Sequence, residues 1–221
     1  MATSNRFKFP DGARFEMATA FTTAKPITSI TNAKPPVATS PAHGLQAGGL
    51  ILLTSGWNRL NSRGARVANP DAETFELEGF NTTSLKRFPE GDGVGSFVQP
   101  TAWAWIDKIL EAATSGGEQQ FWTGGFLEDD DDTQVPTTRS PQQMALTLGD
   151  DPDSARDQAL LDVDGTREEQ FLRLVLPSGD FILYTGYVSY NDNPVVTRAN
   201  PMSTRMTLSL TSRPVRYKAA A

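Results

Sequence analysis

The feature that most limits what this chain can fold into is its punctuation. Glycine and proline, 18 and 15 of them in 221 residues, recur along the whole length. Between them lie short apolar segments, and no helical pattern runs beyond about a dozen residues. Short strands parted by turn signals spell an all-β sandwich or barrel. The C-terminal third is the clearest example. Glu169–Leu176 alternates, with Leu172, Leu174 and Leu176 on one face. Pro177-Ser178-Gly179-Asp180 supplies turn chemistry, and Phe181–Val188 returns as a second strand rich in β-formers. Thr204–Thr211 sets Met206, Leu208 and Leu210 against Arg205, Thr207, Ser209 and Thr211. Gln143–Leu148 repeats the arrangement with Met144, Leu146 and Leu148. Such strands have one face in a core and the other in water.

One helix is expected. Asp151 is a good N-cap, Pro152 suits the first helical position, and Ser154–Leu161 holds helix formers before Asp164-Gly165 ends it. Trp105–Ala113 stays open. Ile106, Ile109, Leu110 and Ala113 have helical spacing, yet Ser115-Gly116-Gly117 could equally close a hairpin. Between Ile27 and Val98 the texture changes. Ile27–Ile30, Val37–Thr39, Leu50–Thr54, Ala65–Ala68 and Thr74–Leu77 are very short pieces bounded by Lys25-Pro26 and Gln99-Pro100. The division expected is a discontinuous β-sandwich domain of residues 1–25 and 100–221, interrupted by a small barrel-like β-domain at 26–99.

The chemistry of a catalytic site is scarce. Cysteine is absent, which removes disulfides, thiolate nucleophiles and Cys–zinc sites. The single histidine, His43, reads as a turn residue in Pro41-Ala42-His43-Gly44-Leu45. Gly91-Asp92-Gly93-Val94-Gly95 has no helix after it to cradle a phosphate and reads as a turn. The acidic run Glu128–Asp132 lacks EF-hand spacing and reads as a solvated loop, kept extended by like charges. Trp103, Trp105 and Trp122 are expected as core or interface anchors. No catalytic residue, cofactor or metal is expected.

The formal charge of −6, with no basic stripe, argues against a protein that grips nucleic acid. No segment approaches the roughly 18 uncharged apolar residues of a membrane span. The polar, basic start Met1–Pro10 lacks the apolar core of a signal peptide. No membrane partner is expected.

From Gln158 onward the chain resembles the closing half of the major tail tube proteins of lambda-like siphophages. The resemblance rests on Gln158–Leu161, the strand Phe171–Leu176, the turn Pro177-Ser178-Gly179, and Gly186-Tyr187-Val188-Ser189. Thr204–Leu210 and the ending Thr211-Ser212-Arg213-Pro214 complete it. Upstream, Phe126–Asp132 is similar to the acidic start of that family's long loop, and Met144–Leu148 to its returning strand. Ser40–Leu45, Gly48-Gly49 and Asp71–Leu77 resemble a small β-barrel module of phage tail proteins instead.

The resemblance implies a two-sheet β-sandwich with one short flanking helix, in hexameric rings stacked into a conduit through which viral DNA passes without specific binding. It implies assembly in the host cytoplasm into a virion tail, beside tape measure, tail terminator and distal tail proteins. Glu128, Asp129, Asp130, Asp131, Asp132 and Thr133 become candidates for a loop reaching a neighbouring subunit. Thr207, Ser209 and Thr211 become candidates for the channel wall. Two other readings are a β-sandwich module binding receptor or carbohydrate, and the inner tube of a contractile injection system.

Overall fold

A computed structural model describes residues 10–219, so the leader reading of Met1–Phe9 lies outside the described residues. Among the described residues the fold is mainly β with one helix, as the punctuation requires. In chain order the first strands are β1 (Arg14–Phe21), β2 (Lys25–Ile27), β3 (Ser29–Ile30), β4 (Val37–Thr39) and β5 (Leu50–Ser55). Next come β6 (Arg63–Ala68), β7 (Thr74–Leu77), β8 (Gly95–Val98), β9 (Pro100–Ile106) and β10 (Ile109–Gly116). Then follow β11 (Gln119–Gly124), β12 (Thr133–Arg139), β13 (Gln142–Gly149) and helix α1 (Ala155–Thr166). The last strands are β14 (Glu169–Val175), β15 (Phe181–Val195), β16 (Ser203–Leu210) and β17 (Val215–Tyr217).

The described residues divide into two compact units, one holding 10–107, 168–186 and 211–219, the other 108–167 and 187–210. In the first unit, β2-β8-β5-β6-β7-β4-β3 form a seven-stranded sheet. Its core is dense with aromatics. Phe75 and Phe97 meet edge-on at 5.5 Å and Trp57 and Phe88 at 5.2 Å, with Ile51, Leu53, Leu60 and Leu77 around them. Each such side chain removed from water contributes roughly 1.5–3 kcal/mol.

The same unit holds β9, β1, β14 and the start of β15 side by side, with β17 on β15. The two sheets share a seam. Leu50 and Leu52 leave the small sheet and pack with Ala18, Phe171, Leu183 and Tyr217. Strand β5 is therefore apolar on both sides, which is why Leu50–Leu53 shows no alternation. The fit at Gly64 is close: a Cβ there would stand 2.4 Å from the Phe171 ring. Tyr217 fastens the seam, its hydroxyl accepting from the Arg66 N–H and donating to the Glu78 carbonyl, each at 3.0 Å.

This seam changes the reading of β14. The alternation of Leu172 and Leu174 points to one buried face, but Phe171 and Leu172 are both fully buried. The face that should meet water meets the small sheet instead.

In the second unit the order is β10-β13-β16-β15. Met144, Leu146, Leu148, Met206 and Leu208 are buried to within 1%. Helix α1 brings Leu160, also fully buried, and Asp164, which accepts from the Tyr190 N–H at 3.1 Å. The helix begins later than Asp151 suggests. Ser154 is the N-cap, accepting from the Asp157 N–H at 3.2 Å, while Asp151 pairs with Lys108. It also runs past Gly165 to end on Arg167, which adopts the left-handed conformation at φ 54°. A buried Arg156–Asp157 pair at 2.7 Å, with Arg156 donating to the Gly149 carbonyl, fixes the first turn. That pairing selects the later cap.

Trp105–Ala113 resolves as strand. Its residues close β9 and open β10, broken at Asp107-Lys108, where Lys108 is left-handed.

Candidate assembly surface

The second unit is a ribbon that outgrows its own core. Among the described residues strand β10 pairs with β13 on one side only, from Ile109↔Leu148 to Gly116↔Gln142, so its other edge is open. The ladder then continues through Ser140, which donates to the Glu118 carbonyl at 3.0 Å, into the hairpin β11–β12. Gly116 and Gly117, at φ 77° and 81°, turn the ribbon there. A Cβ on Gly116 would sit 1.9 Å from the Pro141 carbonyl oxygen, so only glycine fits.

Beyond that bend no described residue covers the arm. Every residue of β12 is exposed, and Phe121 and Trp122 of β11 are 54% and 49% accessible. Trp122 faces Val135 and Phe121 faces Pro136 across the ladder. A two-stranded ribbon alone in water is marginal, and apolar side chains this accessible mark a surface meant to be covered. Directly after the acidic run, Thr133–Arg139 is held as a strand by its pairing with β11.

The acidic residues sit at the arm's tip. Asp129 accepts from the Phe126 N–H at 2.8 Å while its own N–H returns to the Phe126 carbonyl at 3.0 Å. The Thr133 hydroxyl closes the turn onto the Gly124 carbonyl at 3.1 Å. Asp129 and Thr133 thus shape the tip, leaving Glu128, Asp130, Asp131 and Asp132 to face outward, with Phe126 and Leu127 fully displayed beside them.

Register brings further residues together. Gln143↔Ser209, Ala145↔Thr207 and Thr147↔Arg205 share one face of β13 and β16, and Glu111, Ala113 and Ser115 of β10 extend it. The face is small and polar, with one cation and one anion. Thr207 and Ser209 belong to it. Thr211 lies past the end of β16, its hydroxyl on Glu169 and its N–H on the Thr185 carbonyl at 3.0 Å.

The tryptophans part company. Trp103 is half-buried against Phe171 at 5.7 Å, with the Arg173 guanidinium 4.1 Å above its ring. Trp105 is 57% exposed beneath Arg14, and Trp122 stands on the arm. His43 follows the Pro41-Ala42 turn and faces inward. Its Nδ1 accepts from the Leu45 N–H at 3.0 Å and its ring meets Phe75 at 5.2 Å. Sequence reasoning missed the open edge of β10, whose only trace is the exposed Leu110 in a strand lacking a clear inner face.

Antiparallel sheets that end in an open edge and an uncovered ribbon define a structural subunit built to associate. The chain matches the model of the phage tail tube protein family, TTP, over residues 55–219, and it belongs to that family. No curated protein matches it. The match takes in part of the small sheet as well as the strands that follow it. The family is structural and is not a known enzyme family, so this is a tail tube structural protein, a component of the virion tail that assembles with other tail subunits. Among the described residues no helix is long and apolar enough to cross a membrane.

Proposed function

We propose that the chain is the major tail tube subunit of a lambda-like siphovirus, self-assembled into hexameric rings that stack into the DNA conduit. One observation carries this reading: the uncovered β11–β12 arm, rooted in a strand whose outer edge is open. Open edges are liabilities in a monomer and joints in a polymer. Edge-to-edge joining around a ring gives a many-stranded barrel with an aqueous channel. Heterologous contacts that close make the ring, and others that do not close stack it.

The small polar face carrying Thr207 and Ser209 suits the channel wall. It offers DNA no cluster of cations, so phosphates gain little counterion release by stopping there. Thr211 remains a candidate at the margin of that wall. Residues 26–99 form an inserted domain on the outside, because a lumen filled by it would not pass DNA. Tape measure, tail terminator and distal tail proteins are the expected partners, with assembly in the host cytoplasm. Electron microscopy of the purified protein over a range of concentrations tests the proposal. Filaments with an axial channel are expected; compact particles at every concentration would overturn it.

A further inference from the structure

The first unit contains a cationic cavity in a protein of net charge −6. It measures about 330 Å³ and is lined by Arg59, Arg63, Arg87 and Arg213 together with asparagines, hydroxyl groups and Phe88. Among the described residues no acidic side chain lines it. Among the described residues none of these four guanidiniums is paired with a carboxylate. The chain has 20 cationic and 26 acidic side chains, so four cations together without one acid is a marked segregation.

Arg63 lies deepest. It donates to the Arg213 carbonyl at 3.3 Å and lies 4.9 Å over the Phe80 ring, yet its Nε is buried without a partner among the described residues. A buried donor left unpaired costs about 1–3 kcal/mol. Burial first, and Arg213 in addition, push its pKa down, so the folded protein holds this charge under strain. An anion in the cavity would relieve both.

We propose that this arginine cavity receives the acidic tip of the β11–β12 arm of a second copy of the chain, locking neighbouring subunits of the assembly. Charge selects that occupant. The tip presents Glu128–Asp132, five consecutive carboxylates, and Asp130, Asp131 and Asp132 make no hydrogen bond or ion pair among the described residues. Guanidiniums bind carboxylates bidentately, with directional bonds stronger than neutral ones. The tip also carries Phe126 and Leu127, 73% and 105% accessible, which need cover of their own. Docking would meet both demands while neutralising a repulsive cluster on each partner. This inference rests on self-assembly of the subunit and names the contact that drives it.

A charge swap is the test. Arg59 and Arg87 are exposed, so Arg59→Glu with Arg87→Glu should leave the thermal midpoint nearly unchanged. That pair, and separately Asp130→Lys with Asp131→Lys and Asp132→Lys, should each raise the critical concentration for tube formation about tenfold or more. Combining all five changes should bring it back to within about threefold of wild type, the signature of direct coupling. Sedimentation velocity on the same four proteins reads docking as concentration-dependent self-association even where no tube forms. A wild-type chain that self-associates without tubes would therefore count against the conduit alone. Unaltered self-association in the cavity variant, or a combined variant no better than the sum of its parts, would overturn the docking proposal. So would a cavity variant that assembles normally but loses binding to inorganic phosphate or short duplex DNA, which would assign the cavity to phosphate.

Discussion

The seam beneath the small sheet and the β11–β12 arm are both built of antiparallel strands, but they stand at opposite ends of the stability range. At the seam, β5 and β14 are covered on both faces, and Phe171 is so tightly held that Gly64 cannot carry a side chain. On the arm, two strands share one ladder, and their aromatics lie in water. The first region is finished within the subunit. The second leaves its apolar side chains uncovered within the subunit. Local stability follows buried contact density, so a protein can keep its core rigid while its assembly segments stay easily opened.

The seam is most vulnerable at Phe171. Phe171→Ala would empty the fully buried centre of the seam, and about 3–5 kcal/mol should be lost in urea unfolding. A loss below about 1 kcal/mol would mean that the seam is loose and the two sheets nearly independent.

Alkaline titration probes the same place. Burial holds the Tyr217 phenol up at about 12 against a usual value near 10. Between those values the unfolded chain loses this proton and the folded chain keeps it, so stability falls as pH rises. The loss should approach about 2–3 kcal/mol across that window and be absent at neutral pH. Tyr217→Phe should start less stable, having lost two hydrogen bonds, and show a flatter profile from pH 10 to 12. Identical alkaline profiles for the two proteins would remove Tyr217 from the role of fastener.

The arm should give the opposite pattern in hydrogen exchange. Amides of 119–139 should exchange almost freely in the monomer and become protected by at least about tenfold in assembled tubes. Equal protection in both states would make the arm a permanent part of the subunit.

The smallest effect belongs to the tip. Replacing Asp130, Asp131 and Asp132 by Asn should move monomer stability by no more than about 0.5 kcal/mol, as for other exposed sites. The same change should shift the salt dependence of assembly, because screened charge repulsion and attraction are what it removes. Asp129 is left in place because it caps the tip through the Phe126 N–H.

Much of the strand list was legible in the residues. Val37–Thr39 and Thr74–Leu77 appear at the expected bounds, and the hairpin around Pro177–Asp180 closes as its turn residues dictate. The acidic tip and the Thr207–Ser209 face could also be located, because a run of like charge and a period-two polar pattern are local signals. Other features had no local signal. The helix start moved from Asp151 to Ser154 because Asp151 is engaged by Lys108, some forty residues earlier in the chain, and Arg156–Asp157 pair in the interior. The arginine cavity gathers residues from 59 to 213, which no window of sequence could join.

The sequence by itself determined the β class, the turn positions, the poverty of catalytic groups and the place of greatest negative charge. Each of these depends on neighbours a few residues away, through backbone preference and pattern. Only the tertiary structure decided which polar-looking faces are buried, which strand edge is left open and which cations share a cavity. Those depend on where distant segments meet, and burial, edge pairing and charge clustering are properties of that meeting.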